Sequence, residues 1–191
     1  MDEIKLEGTA LLGGADITIA ENRIIERDDL AIVSVATPLG GDAALKRALK
    51  AGHGLSMPSA TRSTIGKNGM RAVNTAPDQM LLVFGHTTPD AEHHVQTGLK
   101  GTGYTTDQTD SLVAIEISGP DTMAAMERLC PLDLHPDNFG TDMAGRTVME
   151  HMAATIICLA DAHFLLLAAT SSGLSFLHAI ETSYRNVAGA A

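Results

Sequence analysis

One order of elements occurs twice along this sequence: strand, helix, loop, strand, strand, helix. In the first half, Leu30–Ala36 is rich in β-branched residues and is closed by Pro38 and Gly40-Gly41, which predicts a strand. Asp42–Ala51 reads as a short helix, with Gly52 and Gly54 in its C-cap region. Ser56–Gly69 reads as a polar loop. Arg71–Thr75 and Gln79–Gly85 read as two strands turned by Ala76-Pro77-Asp78. Thr88 is the expected N-cap of the next helix, with Pro89 at its first position and its end near Leu99.

The second half repeats the order. Ser111–Ser118 reads as a strand, and a helix starting at Ser118 or Gly119 carries Met123, Met126 and Leu129 on one apolar face. After a loop from Pro131 to Gly140, residues 146–158 and Ala162–Ala169 read as strands, and Ser171 to about Val187 as the closing helix. In that helix Leu174, Leu177, His178 and Ile180 or Glu181 sit at helical spacing. Hairpins impose antiparallel pairing, and helices of this length cover one face of a sheet. The expected class is α+β: two pseudo-repeated split βαββα units, sheets packed with helices. The units span residues 29–103 and 104–191 and form one compact domain. An irregular arm, residues 1–28, would dock on it through Leu11, Leu12, Ile17 and Ile19.

Composition restricts what such a domain can do. Of 191 residues, 45% are apolar and 19% charged, an ordinary globular balance. Net charge is −10 and there is no basic stripe to neutralise phosphates, which argues against a nucleic-acid partner. No apolar run approaches the roughly 20 residues of a membrane span. Met1–Glu7 is acidic with no apolar segment behind it, so the reading is of a cytoplasmic chain with no signal peptide and no membrane partner. With no Trp, two Tyr and four Phe, the chain offers few rings to stack a flat cofactor.

Candidate reactive groups are sparse. Glu92-His93-His94 is the densest metal-like cluster. Neighbouring side chains on a helix diverge, and no H-E-x-x-H pattern is present, so a helix-surface role is expected. The other histidines, His53, His86, His135, His151, His163 and His178, are scattered and suit ordinary hydrogen bonding. Gly98, Gly101 and Gly103 do not match a phosphate loop and read as a linker. Asp107 and Asp110 in Thr105–Ser111 could pair for acid–base work, but the same residue types build turns before strands. Ser171 and Ser175 lack a nucleophile elbow, and Ser171-Ser172 reads as an N-cap. Cys130 and Cys158 read as small core residues.

Several segments together carry a family resemblance. They are Thr106-Asp107-Gln108-Thr109-Asp110, Ile117-Ser118-Gly119-Pro120, and Cys130-Pro131-Leu132-Asp133-Leu134-His135-Pro136 with Phe139. Arg146-Thr147 with His151, the closing Ser171–Leu177 segment, Ala10-Leu11-Leu12-Gly13-Gly14 and Pro77–Leu82 complete the set. In this order they resemble the gamma subunit family of heterotetrameric sarcosine oxidase. The chain departs from the family pattern at Thr170-Ser171, where an Arg-Ser pair is usual, and in having no Trp.

The resemblance implies a small version of the folate-binding domain of the glycine-cleavage T-protein, the aminomethyltransferase. It implies alpha, beta and delta subunits as partners. It also implies a complex that oxidatively demethylates sarcosine to glycine, yielding hydrogen peroxide and 5,10-methylenetetrahydrofolate or formaldehyde. FAD, FMN, NAD, tetrahydrofolate and zinc are implied for the complex, none for this chain alone. No catalytic or metal-binding residue is implied here, and no cofactor-binding residue is singled out. The alternative is a stand-alone folate-binding or methyl-transfer protein, for which Tyr104, Asp107 and Asp110 are the candidate contacts; a plain interaction module is the third.

Overall fold

The computed structural model describes residues 9–189. The reading of Met1–Glu7 falls outside them. Within the arm, residues 16–26 are not irregular. β1 (Asp16–Ile19) and β2 (Asn22–Glu26) form an antiparallel hairpin. Then come β3 (Leu30–Ala36), α1 (Asp42–Ala48), β4 (Ser63–Ile65), β5 (Arg71–Ala76), β6 (Gln79–Gly85) and α2 (Ala91–Leu99). The second half holds β7 (Tyr104–Asp107), β8 (Leu112–Ser118), α3 (Thr122–Glu127), β9 (Ala144–Met149), β10 (Met152–Ala160), β11 (His163–Ala169) and α4 (Gly173–Val187).

The strands make two antiparallel sheets. One has six strands in the order β1-β2-β8-β11-β10-β9, the other five in the order β4-β5-β6-β3-β7. The class is therefore α+β, as expected. The central three strands follow one scheme in both sheets: β10-β11-β8 in the first and β5-β6-β3 in the second. The strand that precedes each of these groups in sequence crosses to the other sheet. β2 leads into β3 yet pairs with β8, while β7 leads into β8 yet pairs with β3. Tyr104–Asp107 thus belongs to the sheet of the first half although it lies beyond residue 103.

Three apolar layers follow from strand alternation. On β8, Val113, Ile115 and Ile117 face α3 and α4, whose Met126, Phe176 and Ile180 complete that core. On β3, Ala31, Val33 and Val35 face α1 and α2 with Leu45, Leu49, Val95 and Leu99. The opposite faces meet each other: Ile32, Val73, Leu81 and Val83 of one sheet pack with Ala114, Ile157, Leu165 and Leu167 of the other. The architecture is helices, sheet, sheet, helices. The expected packing of sheets with helices holds on the outer faces, and sheet-on-sheet packing supplies the rest.

The sheets are also stitched at one edge. β4 and the entry to β9 make an isolated antiparallel bridge, Arg62 with Met143. Arg71, almost fully buried, sends Nη1 to the Asp142 carboxylate at 2.6 Å and to Ser63 Oγ at 2.7 Å. The contact hides two edge strands from other chains.

Several local expectations are corrected. The polar loop 56–69 contains the short strand β4. Residues 146–158 are not one strand but β9 and β10, turned at Glu150 and His151, both with positive φ (45° and 68°). Neither is a residue that advertises such a turn. α2 begins after Asp90 rather than Thr88, and α3 after Asp121. Along α4 the buried stripe is Phe176, Ile180, Ser183 and Tyr184, while Leu174 and His178 point outward. Ser172 occupies the N-cap position of α4 but its side chain makes no capping bond.

α3 is short and depends on a buried anchor. Asn22, fully buried, donates from Nδ2 to Ile19 O (3.1 Å) and to the Asp121 carboxylate (2.8 Å), and its Oδ1 accepts from Asp121 N (2.9 Å). Gly119, at φ +133°, lets the chain pass where a Cβ would meet Asn22 Oδ1 at 2.5 Å. Tyr184 donates from its hydroxyl to Thr122 Oγ1 at 2.8 Å, tying α4 to α3. Burial pushes that phenol up to about 12.

Two outcomes are expected. Asn22→Ala leaves several polar groups unpaired and costs about 2–3 kcal/mol in urea unfolding. The Tyr184 phenol is neutral in the fold at a pH where it ionises in the unfolded chain. Stability should fall as pH rises from about 10 to about 12, and Tyr184→Phe should remove that slope in denaturant titrations.

Candidate functional site

After Ala48 the first helix widens into a π turn, Leu49–His53, closed by Gly54 in the left-handed region. Gly54 N donates to Lys50 O and Leu55 N to Leu49 O, which satisfies the last carbonyls. This turn drives the His53 side chain under α2, where it is buried. Its Nε2 lies 3.1 Å from Val95 O. A carbonyl only accepts, so Nε2 carries the proton.

Two glycines permit this approach. A Cβ on Gly52 would lie 2.5 Å from Gly98 O, and a Cβ on Gly98 would strike the His53 ring. Gly98 is therefore a packing residue inside α2, not part of a linker. Gly101, at φ +74°, does serve the turn that follows the helix.

Three more rings gather at the mouth of this junction. His94 lies 6.1 Å from His53, 5.6 Å from Phe84 and 5.4 Å from His86 between ring centroids. His86 Nε2 is 2.8 Å from Asp90 Oδ1, and the Thr88 hydroxyl bonds both groups. Thr88 first and His86 second hold the Asp90 carboxyl down at about 2. This triplet takes up the side chains expected to cap α2. The groups surround a cavity of about 550 Å³, completed by Lys67, Asn68 and Met70. Among the described residues, no group of three or more His, Cys, Asp or Glu is arranged to hold a metal ion. His93 is exposed beside His94.

The cavity was not legible from residue spacing. His53, His86 and His94 come from a helix end, a strand end and a helix face. The other candidates lie elsewhere. Asp107 accepts from Thr109 N at 2.9 Å, an Asx turn ahead of β8. Asp110 is exposed, and Tyr104 stands 70% exposed on the edge strand β7. These three do not line the cavity. His163 bonds Glu116 at 2.7 Å, and Arg27 bonds Glu116 and Asp29. His135 accepts from Asp137 N at its Nδ1, a local turn contact. Cys130 and Cys158 are buried and unpaired, and desolvation raises both thiols above their ordinary range. Ser171 and Ser175 are exposed, with no hydrogen-bonded base.

No protein-family model matches the chain, and no curated protein matches it in sequence. Solved structures do match in fold. A chain of the heterotetrameric sarcosine oxidase from Corynebacterium sp. U-96, in complex with pyrrole 2-carboxylate, superposes with a TM-score of 0.77 at 20% identity, covering 91% of this chain and 89% of that one. The glycine cleavage system aminomethyltransferase T from Bartonella henselae superposes with a TM-score of 0.62 at 10% identity, covering 84% of this chain and 45% of that one. The chain thus has a fold shared with a sarcosine oxidase chain and with somewhat under half of a T-protein.

The Gly98–His53 contact makes a direct prediction. Gly98→Ala should cost about 1–3 kcal/mol through forced displacement of His53. The nitrogen-15 shifts of the His53 ring should report loss of its fixed tautomer.

Proposed function

We propose that this chain is a gamma-type accessory subunit of a heterotetrameric sarcosine oxidase. The observation that carries this reading is the superposition on a sarcosine oxidase chain along nearly the whole of both chains. The segments that resemble the gamma family support it from a second direction. Cys130–Pro136 forms the exit from α3. There Asp133 accepts from His135 N at 3.0 Å and from the Asn138 amide, fixing the loop.

In this reading the chain contributes shape and contact area. Alpha, beta and delta subunits carry FAD, FMN, NAD, tetrahydrofolate and zinc, and the complex is cytoplasmic. It converts sarcosine to glycine with hydrogen peroxide and 5,10-methylenetetrahydrofolate, or formaldehyde without the folate. Tyr104, Asp107 and Asp110, the candidate folate contacts, do not line the cavity beside α2. Leu39, wholly exposed on the turn after β3, and Tyr104, paired in register with Ala36, place apolar surface at one end of the five-stranded sheet. A subunit interface would cover such surface.

The T-protein fold favours the stand-alone folate-binding reading as the competitor. Purification of the native chain, with companions identified by mass spectrometry, should yield larger flavin-bearing subunits in stoichiometric amount. The isolated chain should produce no hydrogen peroxide from sarcosine and no heat on calorimetric titration with tetrahydrofolate. A stable monomer with no affinity for such subunits would refute the proposal. Saturable micromolar tetrahydrofolate binding by the lone chain would establish the competitor.

A further inference from the structure

We propose that the outward face of α1 and α2, with Leu39 and Tyr104 at its end, is the surface on which this chain meets a larger subunit, and that the matching patch on that subunit is an apolar recess rimmed by carboxylates. This rests on the subunit reading and adds to it the face and the chemistry of the partner. The first observation is charge. The chain carries −10 overall, but the charge is unevenly spread. From Asp42 to Lys100 there are seven Lys and Arg against four Asp and Glu, whereas from Tyr104 to the C-terminus there are three Arg against eleven Asp and Glu. The lysines of the described residues, Lys46, Lys50, Lys67 and Lys100, all belong to the α1–α2 layer and are exposed. The carboxylates of that layer are engaged: Asp42 by Lys46, Asp90 by His86 and Thr88, and Glu92 by the Thr105 hydroxyl. Arg47, Lys50, Lys67 and Lys100 have no ion-pair partner among the described residues.

The second observation is where this charge sits. α1 and α2 cover the same face of the five-stranded sheet, so their remaining sides look outward together. The approach of Gly52 to Gly98 sets the helices side by side. Arg47 and Lys50, three residues apart, share the exposed side of α1 and its π turn, and Thr97 and Lys100 do the same at the end of α2. The third is apolar surface at one end of this face. Leu39 stands just before α1, and Tyr104 just after the turn that follows α2; both are exposed. A Cβ on Gly103 would meet Val35 and Leu45, so the chain leaving α2 passes against the start of α1 and brings the two side chains to the same end. A tyrosine and a leucine beside free cations have the make-up of an interface, an apolar anchor with a charged rim. Four free cations and one ring neither track a row of phosphates nor stack a run of bases. An acidic protein surface with an apolar recess answers both features at once: it pairs with the cations and buries Leu39 and Tyr104.

The full-length chain, tagged and expressed in its native cells, can be recovered with its companions at salt concentrations from about 50 mM to about 400 mM, and the companions quantified by mass spectrometry. Wild type should bring down larger subunits in stoichiometric amount, and less of them as salt rises. Arg47→Glu combined with Lys100→Glu should cut their recovery by about tenfold or more, and Tyr104→Ser by about fivefold or more. Lys100→Arg, which keeps the charge, should keep the companions. Arg128→Glu and Leu174→Ser, exposed positions on the α3–α4 side, should change nothing. All the substituted side chains are exposed, so each variant should match wild type by circular dichroism and thermal melting. The proposal is overturned if the charge-reversed chain keeps its companions, or if the α3–α4 variants lose them to the same degree. It is also overturned if the wild-type chain binds a mixed-sequence DNA duplex of about 20 base pairs at micromolar concentration and the same charge reversal abolishes that binding. A wild-type chain that purifies alone refutes the subunit reading and this interface with it, whereas companions retained by the variants refute the interface only.

Discussion

The layer between the two sheets is the contact on which the rest of the molecule depends. Ile32, Val73, Leu81 and Val83 meet Ala114, Ile157, Leu165 and Leu167, all of them buried. Without this layer the central strands of each sheet would expose an apolar face. The short helices could not compensate, because each pair already covers the opposite face. The exchange of β2 and β7 adds backbone pairing to the same junction: each half is completed by a strand from the other. Arg71, reaching Asp142 and Ser63 from a nearly buried position, closes the far edge.

The α+β class and the antiparallel order were legible in the residues. The layer between the sheets was not expected, since the reading set the sheets against helices, although the runs Met80–Phe84 and Phe164–Ala168 are apolar without the alternation of a strand with one wet face. The turn at Ala76-Pro77-Asp78 marked the antiparallel order of β5 and β6. What escaped was of four physical kinds. The Glu150-His151 turn uses positive φ without Gly or Asn, so the chemistry that normally signals a turn is missing. β1 and β4 are too short to show a period. The choice of partner for β2 and β7 is a long-range matter that no local pattern encodes. The stripe on α4 was misplaced because Leu174 and Leu177 compete with Phe176 and Ile180 for the same helical spacing.

The cavity shows a different limit. Two of its histidines have ordinary roles when taken singly: His53 bonds a carbonyl and His86 a carboxylate. Their convergence depends on the π turn after α1 and on two glycines whose missing side chains let helices touch. A glycine in a helix carries no label that separates packing from linkage, which is why Gly98 read as a linker. The segments resembling the gamma family, by contrast, fall mainly on turns and helix exits such as 106–110 and 130–136. There specific side chains hold specific backbone groups, as Asp133 holds His135 N and Asp107 holds Thr109 N.

The layer between the sheets joins the two halves into one packed unit. That view requires the two sheets to behave as one cooperative unit. Native-state hydrogen exchange across β3, β6, β8 and β11 tests it most directly. The account predicts a common opening free energy for the central amides of all four strands, equal to that of global unfolding. A five-stranded sheet that opens at a distinctly lower free energy while the six-stranded sheet stays protected would contradict it.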